Sequence, residues 1–169
     1  MVLRIITIME NIKLNGFKEV MRKGMIDNFK RDGELVPMMF FFKDGMPIIG
    51  EIPNELMSSA QGKHFLANLM RDVCQEPNVF AAGVIIEANA AKLDANDETI
   101  KLIMNGSVEV FELKNKIDVI LMVFSTPEEE EMFIYEVDCE KKEVNGLLTG
   151  ESLKQFEGTF SNFFKWNKN

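Results

Sequence analysis

The sequence predicts a single α+β domain: a mainly antiparallel sheet of about five to seven strands covered by two or three helices. Three observations predict it. Apolar residues recur at helical spacing in two long segments, 11–31 and 55–75. Between and after them lie short runs rich in Val, Ile, Phe and Met, of strand length. Tight turn signals join neighbouring runs, and such turns connect antiparallel neighbours. A chain of 169 residues suits one domain. No linker, repeat or low-complexity run divides it, so residues 1–169 read as one unit.

In the first helical segment Phe17, Val20, Met21, Met25 and Phe29 fall on one face. Asp32-Gly33 ends it. The residues before it, 1–9, are apolar apart from Arg4 and read as a first strand or a helix lead-in, since the run is short, Glu10 interrupts it and no small-residue cleavage site of a signal peptide follows. Residues 35–42 are apolar on both alternating sets, Met38, Phe40 and Phe42 against Met39 and Phe41. That pattern predicts a central strand covered on both faces. Asp44-Gly45 is a favoured pair for a two-residue hairpin turn. Residues 46–52 return as its partner, and Pro47, which cannot donate to a ladder, marks that partner as an edge.

The second helix, 55–75, carries the stripe Leu66, Leu69, Met70 and Val73 and stops at Glu76-Pro77-Asn78. A strand follows at 79–88, then a polar loop at 94–99. Asn105-Gly106 between two apolar runs predicts a second hairpin over 100–113. Residues 117–124 read as a buried strand, 132–137 as its antiparallel return and 143–148 as a last short strand. Leu153, Phe156, Phe160 and Phe163 suggest a C-terminal helix with an aromatic stripe.

The order helix, two strands, helix, further strands, helix resembles roadblock-like and profilin-like domains. That resemblance implies small-ligand sensing as a further reading, although fold does not fix function. The hairpin expected around Asn105-Gly106 is an addition to the pattern. The chain also looks like small uncharacterised bacterial and phage proteins in which a strand ending in Glu-Ala-aromatic precedes an acidic hairpin. Here Glu87-Ala88-Asn89 stands at that place, without the aromatic. This second likeness implies no assigned activity.

The net charge of −8 disfavours direct binding to nucleic acid or to anionic membranes, both of which need basic patches. No apolar stretch reaches the ~20 residues that span a bilayer, and the expected location is the cytoplasm. Cys74 and Cys139, the 2 cysteines, fit no zinc or thiol-redox spacing and read as buried free thiols. The 14 Phe and 12 Met outnumber the polar-tipped aromatics, 1 Tyr and 1 Trp, which suits core filling or an adaptable binding surface.

No catalytic or metal-binding residue stands out, and no cofactor is implied. His64, the 1 histidine, lies about 160° around its helix from Leu66 at ~100° per residue, away from the apolar stripe. Phosphate-cradling glycine loops and the Gly-x-Ser-x-Gly elbow are missing. Asp94, Asn96, Asp97 and Glu98 are oxygen-rich, but the central Gly and closing Glu of a calcium loop are not there. The candidate interaction surface comprises the acidic run Glu128, Glu129, Glu130 and Glu131, Lys18 and Arg22 on the basic first helix, and Phe156, Phe160 and Phe163. The expected function is therefore a non-catalytic protein-interaction domain, binding a protein partner or a second copy of itself. Two alternatives remain open at this level: an acidic inhibitor that mimics nucleic acid, and an enzyme built on carboxylates and a divalent metal.

Overall fold

The computed structural model describes residues 2–91, 93, 97–147 and 160–164, with the backbone alone for 2–12 and 104. The chain opens with helix α1, Val2–Asp32. Phe17, Met21, Met25 and Phe29, four residues apart, are buried along one face. Val20, expected on that stripe, is 68% exposed, because the buried seam is narrower than its spacing suggested. Lys30 and Arg31 sit in the last turn, where they complement the negative end of the helix dipole.

Strands β1 (Met38–Lys43) and β2 (Met46–Glu51) form the expected hairpin. Asp44 and Gly45 have φ of 53° and 73°, the left-handed pair that a type I′ turn requires. The predicted second helix is divided in two, α2 (Asn54–Met57) and α3 (Ala60–Val73). Ser59 causes the division: in an extended conformation, it accepts a 3.0 Å hydrogen bond from the Gly62 N–H and caps α3 afresh. Within the predicted stripe Leu66 and Met70 are buried and Leu69 is 46% exposed.

Strand β3 (Val79–Ala91) follows, then the short helix α4 (Thr99–Met104), a 3-10 turn at Val110–Glu112, and strands β4 (Lys116–Ser125), β5 (Glu130–Asp138) and β6 (Glu143–Leu147). The predicted hairpin over 100–113 does not form. Asn105-Gly106 instead closes α4. Gly106 has φ of 77°, its N–H donates to the Ile103 carbonyl, and the Ser107 N–H donates to the Leu102 carbonyl, which is the Schellman arrangement. A glycine able to enter the left-handed region serves a helix end as well as a hairpin turn.

The sheet order is β2-β1-β3-β4-β5-β6, with every neighbouring pair antiparallel. The strand expected to be central, β1, is therefore interior but next to the edge. Its Phe40 and Phe42 are buried, while Met39 and Phe41 are half-buried. The centre belongs to β3 and β4, and β4 is buried continuously from Val119 to Ser125.

Two cores flank the sheet. On one face α1 packs against Phe40, Phe42, Ile85, Ile120, Met122, Phe124 and Tyr135. Phe17 lies at the middle of that core, 5.5 Å from the Phe40 ring and 5.6 Å from Phe42. On the other face α3 packs against Val84, Leu121, Val123 and Ile134, and Phe160 and Phe163 complete that core.

The predicted C-terminal helix falls mostly outside the described residues, Leu153 and Phe156 included. Residues 160–164 are not helical, and Asn162 has φ of 55°, which breaks a helical path. Phe160 and Phe163 are 6% and 1% exposed. They close the sheet's second face and are not available as a surface.

Candidate functional site

The two charged segments that the sequence separates meet within one chain. The Lys18 ammonium lies 2.8 Å from the Glu131 carboxylate and 5.9 Å from the centre of the Phe124 ring. One helical turn on, Arg22 donates to the Tyr135 hydroxyl at 2.7 Å and pairs with Glu19 on its own helix. Its guanidinium carbon also lies 5.9 Å from the Phe133 ring centre. Bonds to Glu19 and then to Tyr135 raise the Arg22 pKa further above its ordinary value. The basic helix is thus partly neutralised by β5 and by its own Glu19.

The acidic run divides by role. Glu130 accepts hydrogen bonds from the Ser125 hydroxyl and, at 2.8 Å, from the Asn162 N–H. Buried Arg71 on α3 donates to the Ser161 carbonyl at 3.0 Å. Glu130 and Arg71 together hold segment 160–164 against the sheet, so Glu130 is structural. Glu131 holds Lys18. Glu128 and Glu129 remain exposed on the β4–β5 turn, and among the described residues neither has a cationic partner. The turn itself is fixed by reciprocal bonds: Thr126 N–H to the Glu129 carbonyl at 2.8 Å, and Glu129 N–H to the Thr126 hydroxyl at 3.1 Å.

This turn walls a cleft of about 650 Å³ between α1 and the sheet. Phe42, Phe80 and Phe124 line its apolar side, with Leu14 from α1. Glu128, Glu129 and Glu131 give it an acidic rim, where Lys18 is the one cation in the lining among the described residues. Sequence reasoning found the rim and Lys18 but missed the phenylalanine floor. Phe80 carried no signal, because its place beside the turn follows from strand order.

A smaller cleft of about 190 Å³ brings together Glu87, Asp118 and Cys139. Glu87 accepts from the Leu35 N–H, yet burial dominates and pushes its carboxyl pKa up. Cys139, expected to be buried, is exposed on the β5–β6 turn. Partial burial of its sulfur, then the charges of Asp118, Glu87 and Asp138, push its thiol pKa up. These neighbours disfavour the thiolate, the opposite of what a nucleophilic cysteine needs. Cys74 is buried, and burial pushes its pKa up to about 12. Native protein is therefore expected to react with a maleimide at Cys139 alone, at a rate that climbs with pH through the alkaline range. Cys74 should react after denaturation; equal labelling of both in the native state would contradict the packing of α3.

His64 is exposed on α3. Among the described residues no three His, Cys, Asp or Glu side chains gather as a metal site. Of the oxygen-rich loop, Asp94 and Asn96 lie outside the described residues, and the Asp97 side chain caps the Thr99 N–H at 2.9 Å. Among the described residues no helix is long and apolar enough to cross a membrane.

The sheet edge at β2 is the second notable surface. Met46, Ile48 and Ile49 are 66%, 50% and 51% exposed. Lys43 and Met46 flank the two-residue turn and face each other in register. In such a hairpin that pair is hydrogen-bonded, so Met46, Ile48 and Gly50 bond inward to β1. The Ile52 N–H donating to the Pro37 carbonyl at 2.8 Å continues the same parity. The backbone groups of Pro47, Ile49 and Glu51 consequently face outward, and Pro47 stands where its missing N–H costs the sheet nothing.

Set against known proteins, the chain matches no family model, no curated sequence and no solved structure.

Proposed function

We propose that the chain is a non-catalytic protein-interaction domain that self-associates, two copies joining β2 to β2 in one continuous antiparallel sheet. The observation that carries this reading is the self-complementary edge. Paired antiparallel about a two-fold axis at Ile49, each Ile49 N–H meets the Ile49 carbonyl of the second copy. Each Glu51 N–H meets the opposite Pro47 carbonyl. Ile48 falls opposite Gly50, whose missing side chain leaves room for it, and the two Ile49 side chains stack on the α1 face. Pro47 has no N–H to give the Glu51 carbonyl that faces it, so the backbone pairing rests on the two Ile49 bonds and the two from Glu51 to Pro47. An exposed apolar edge is a hazard in a free monomer, and pairing removes it.

Lys18 and Glu131 already satisfy each other within the chain, so the association rests on backbone bonds and apolar contact and is expected to persist at high salt. Sedimentation velocity tests it. Wild-type protein should run as a dimer at low and high ionic strength. Ile49→Pro, which deletes an outward N–H and leaves the bonds to β1 intact, should run as a folded monomer by circular dichroism. Val20→Lys, on the exposed side of α1, should leave the dimer unchanged. A wild-type monomer at high concentration, or a dimer indifferent to Ile49→Pro, would sink the proposal.

A further inference from the structure

We infer that the cleft between α1 and the β4–β5 turn is a docking site for a basic, amphipathic segment of a partner protein, one that alternates Lys or Arg with apolar side chains. This surface is distinct from the β2 edge and does not depend on it. The cleft's volume of about 650 Å³ falls within the range of sites that bury most of a bound ligand, about 300–1,000 Å³. Its floor is apolar, with Phe42, Phe80 and Phe124, and its rim is acidic. A ligand must therefore be apolar where it lies deep and cationic where it meets the rim.

Lys18 shows the mode of recognition within the chain. Its ammonium sits on Glu131 and its charge lies over the Phe124 ring, so one carboxylate and one aromatic face hold one cation. Glu128 and Glu129 repeat the acidic half of that arrangement on the same rim, with no cation of their own among the described residues. The Thr126–Glu129 bonds fix the turn before any ligand arrives, so little ordering is required on binding. The overall charge of −8 draws a basic partner from a distance and repels an acidic one.

The test is fluorescence anisotropy with a short fluorescein-labelled peptide of alternating arginine and leucine, against a glutamate–leucine peptide of equal length. The arginine–leucine peptide should bind and weaken as salt rises from ~50 mM to ~500 mM, as screening shortens the reach of the rim charges. Glu128→Lys/Glu129→Lys should raise Kd by about tenfold or more. Glu140→Lys/Glu143→Lys makes the same change in net charge at the opposite end of β5, where both residues are exposed, and should leave Kd nearly unchanged. All four positions are exposed surface acids, so folding is not at risk. No binding by wild-type protein overturns the inference, as does equal weakening by both double variants, which would mean general charge attraction. Equal affinity for the glutamate–leucine peptide overturns it too.

Discussion

Replacing Gly83 with alanine is expected to destabilise the fold by about 3 kcal/mol, at the upper end of what one added core methyl costs. Gly83 lies in β3 opposite Phe40 of β1 and Phe124 of β4. A Cβ there would run into the Val123 carbonyl oxygen and the edge of the Phe40 ring. The ring could turn aside, but the carbonyl is held in the β3–β4 ladder. In a domain of this size that loss lowers Tm by roughly 6–12 °C, readable by thermal circular dichroism. Trimming the ring with Phe40→Leu in the same chain should not restore the loss, since the carbonyl stays. Gly16→Ala is the matched control: nothing lies within 4 Å of its added carbon on α1, and it should stabilise by roughly 0.5–1 kcal/mol. An unchanged Tm for Gly83→Ala would mean that the Val123 carbonyl does not lie against Gly83.

Gly83 also marks a boundary of what the sequence makes legible. Nothing in the run from Val79 to Glu87 says which strand will cross it. Local chemistry was readable where one physical cause had one outcome. Asp44-Gly45 between two apolar runs forms its turn because both residues reach positive φ and the flanking strands pair at once. Asn105-Gly106 offers the same left-handed glycine, but the preceding residues 99–104 are helical, and the glycine ends a helix. Periodicity over six residues does not separate those cases.

The candidate site divides in the same way. A run of four glutamates reads as one patch, yet register gives them different partners: Glu130 bonds Ser125 and Asn162, Glu131 bonds Lys18, and Glu128 and Glu129 stay in the open. The Lys18–Glu131 pair spans 113 positions, and only the packing of α1 over β4 and β5 brings it together. Phe160 and Phe163 were legible as a shared apolar pair. Their burial opposite α3 depends on Arg71 and Glu130 holding the backbone between them.

Phe40→Asp is expected to be the most damaging single change in the described core, costing about 4 kcal/mol or more. Phe40 is 0% exposed and its ring lies 5.5 Å from Phe17 and 5.7 Å from Phe124. A carboxylate placed there loses its water and gains aromatic faces, and the missing ring leaves a void under α1. A loss of that size takes a large share of the ~5–15 kcal/mol that holds a typical domain together. Denaturant unfolding should show a much lower midpoint, and Phe40→Leu, which keeps the site apolar, should lose far less. Acid separates the charge from the void. Burial raises the folded-state pKa of the new Asp above its unfolded value of about 3.9. The native state then binds the proton more tightly than the unfolded chain, so stability falls as pH rises through that interval and recovers as pH drops toward 4. Phe40→Asn, similar in size and without a titrating group, has no such term. The stability gap between the Asp and Asn variants should therefore narrow from pH 7 to pH 4. A gap that stays constant would mean the introduced carboxylate reaches water, and that α1 does not seal this face of the sheet.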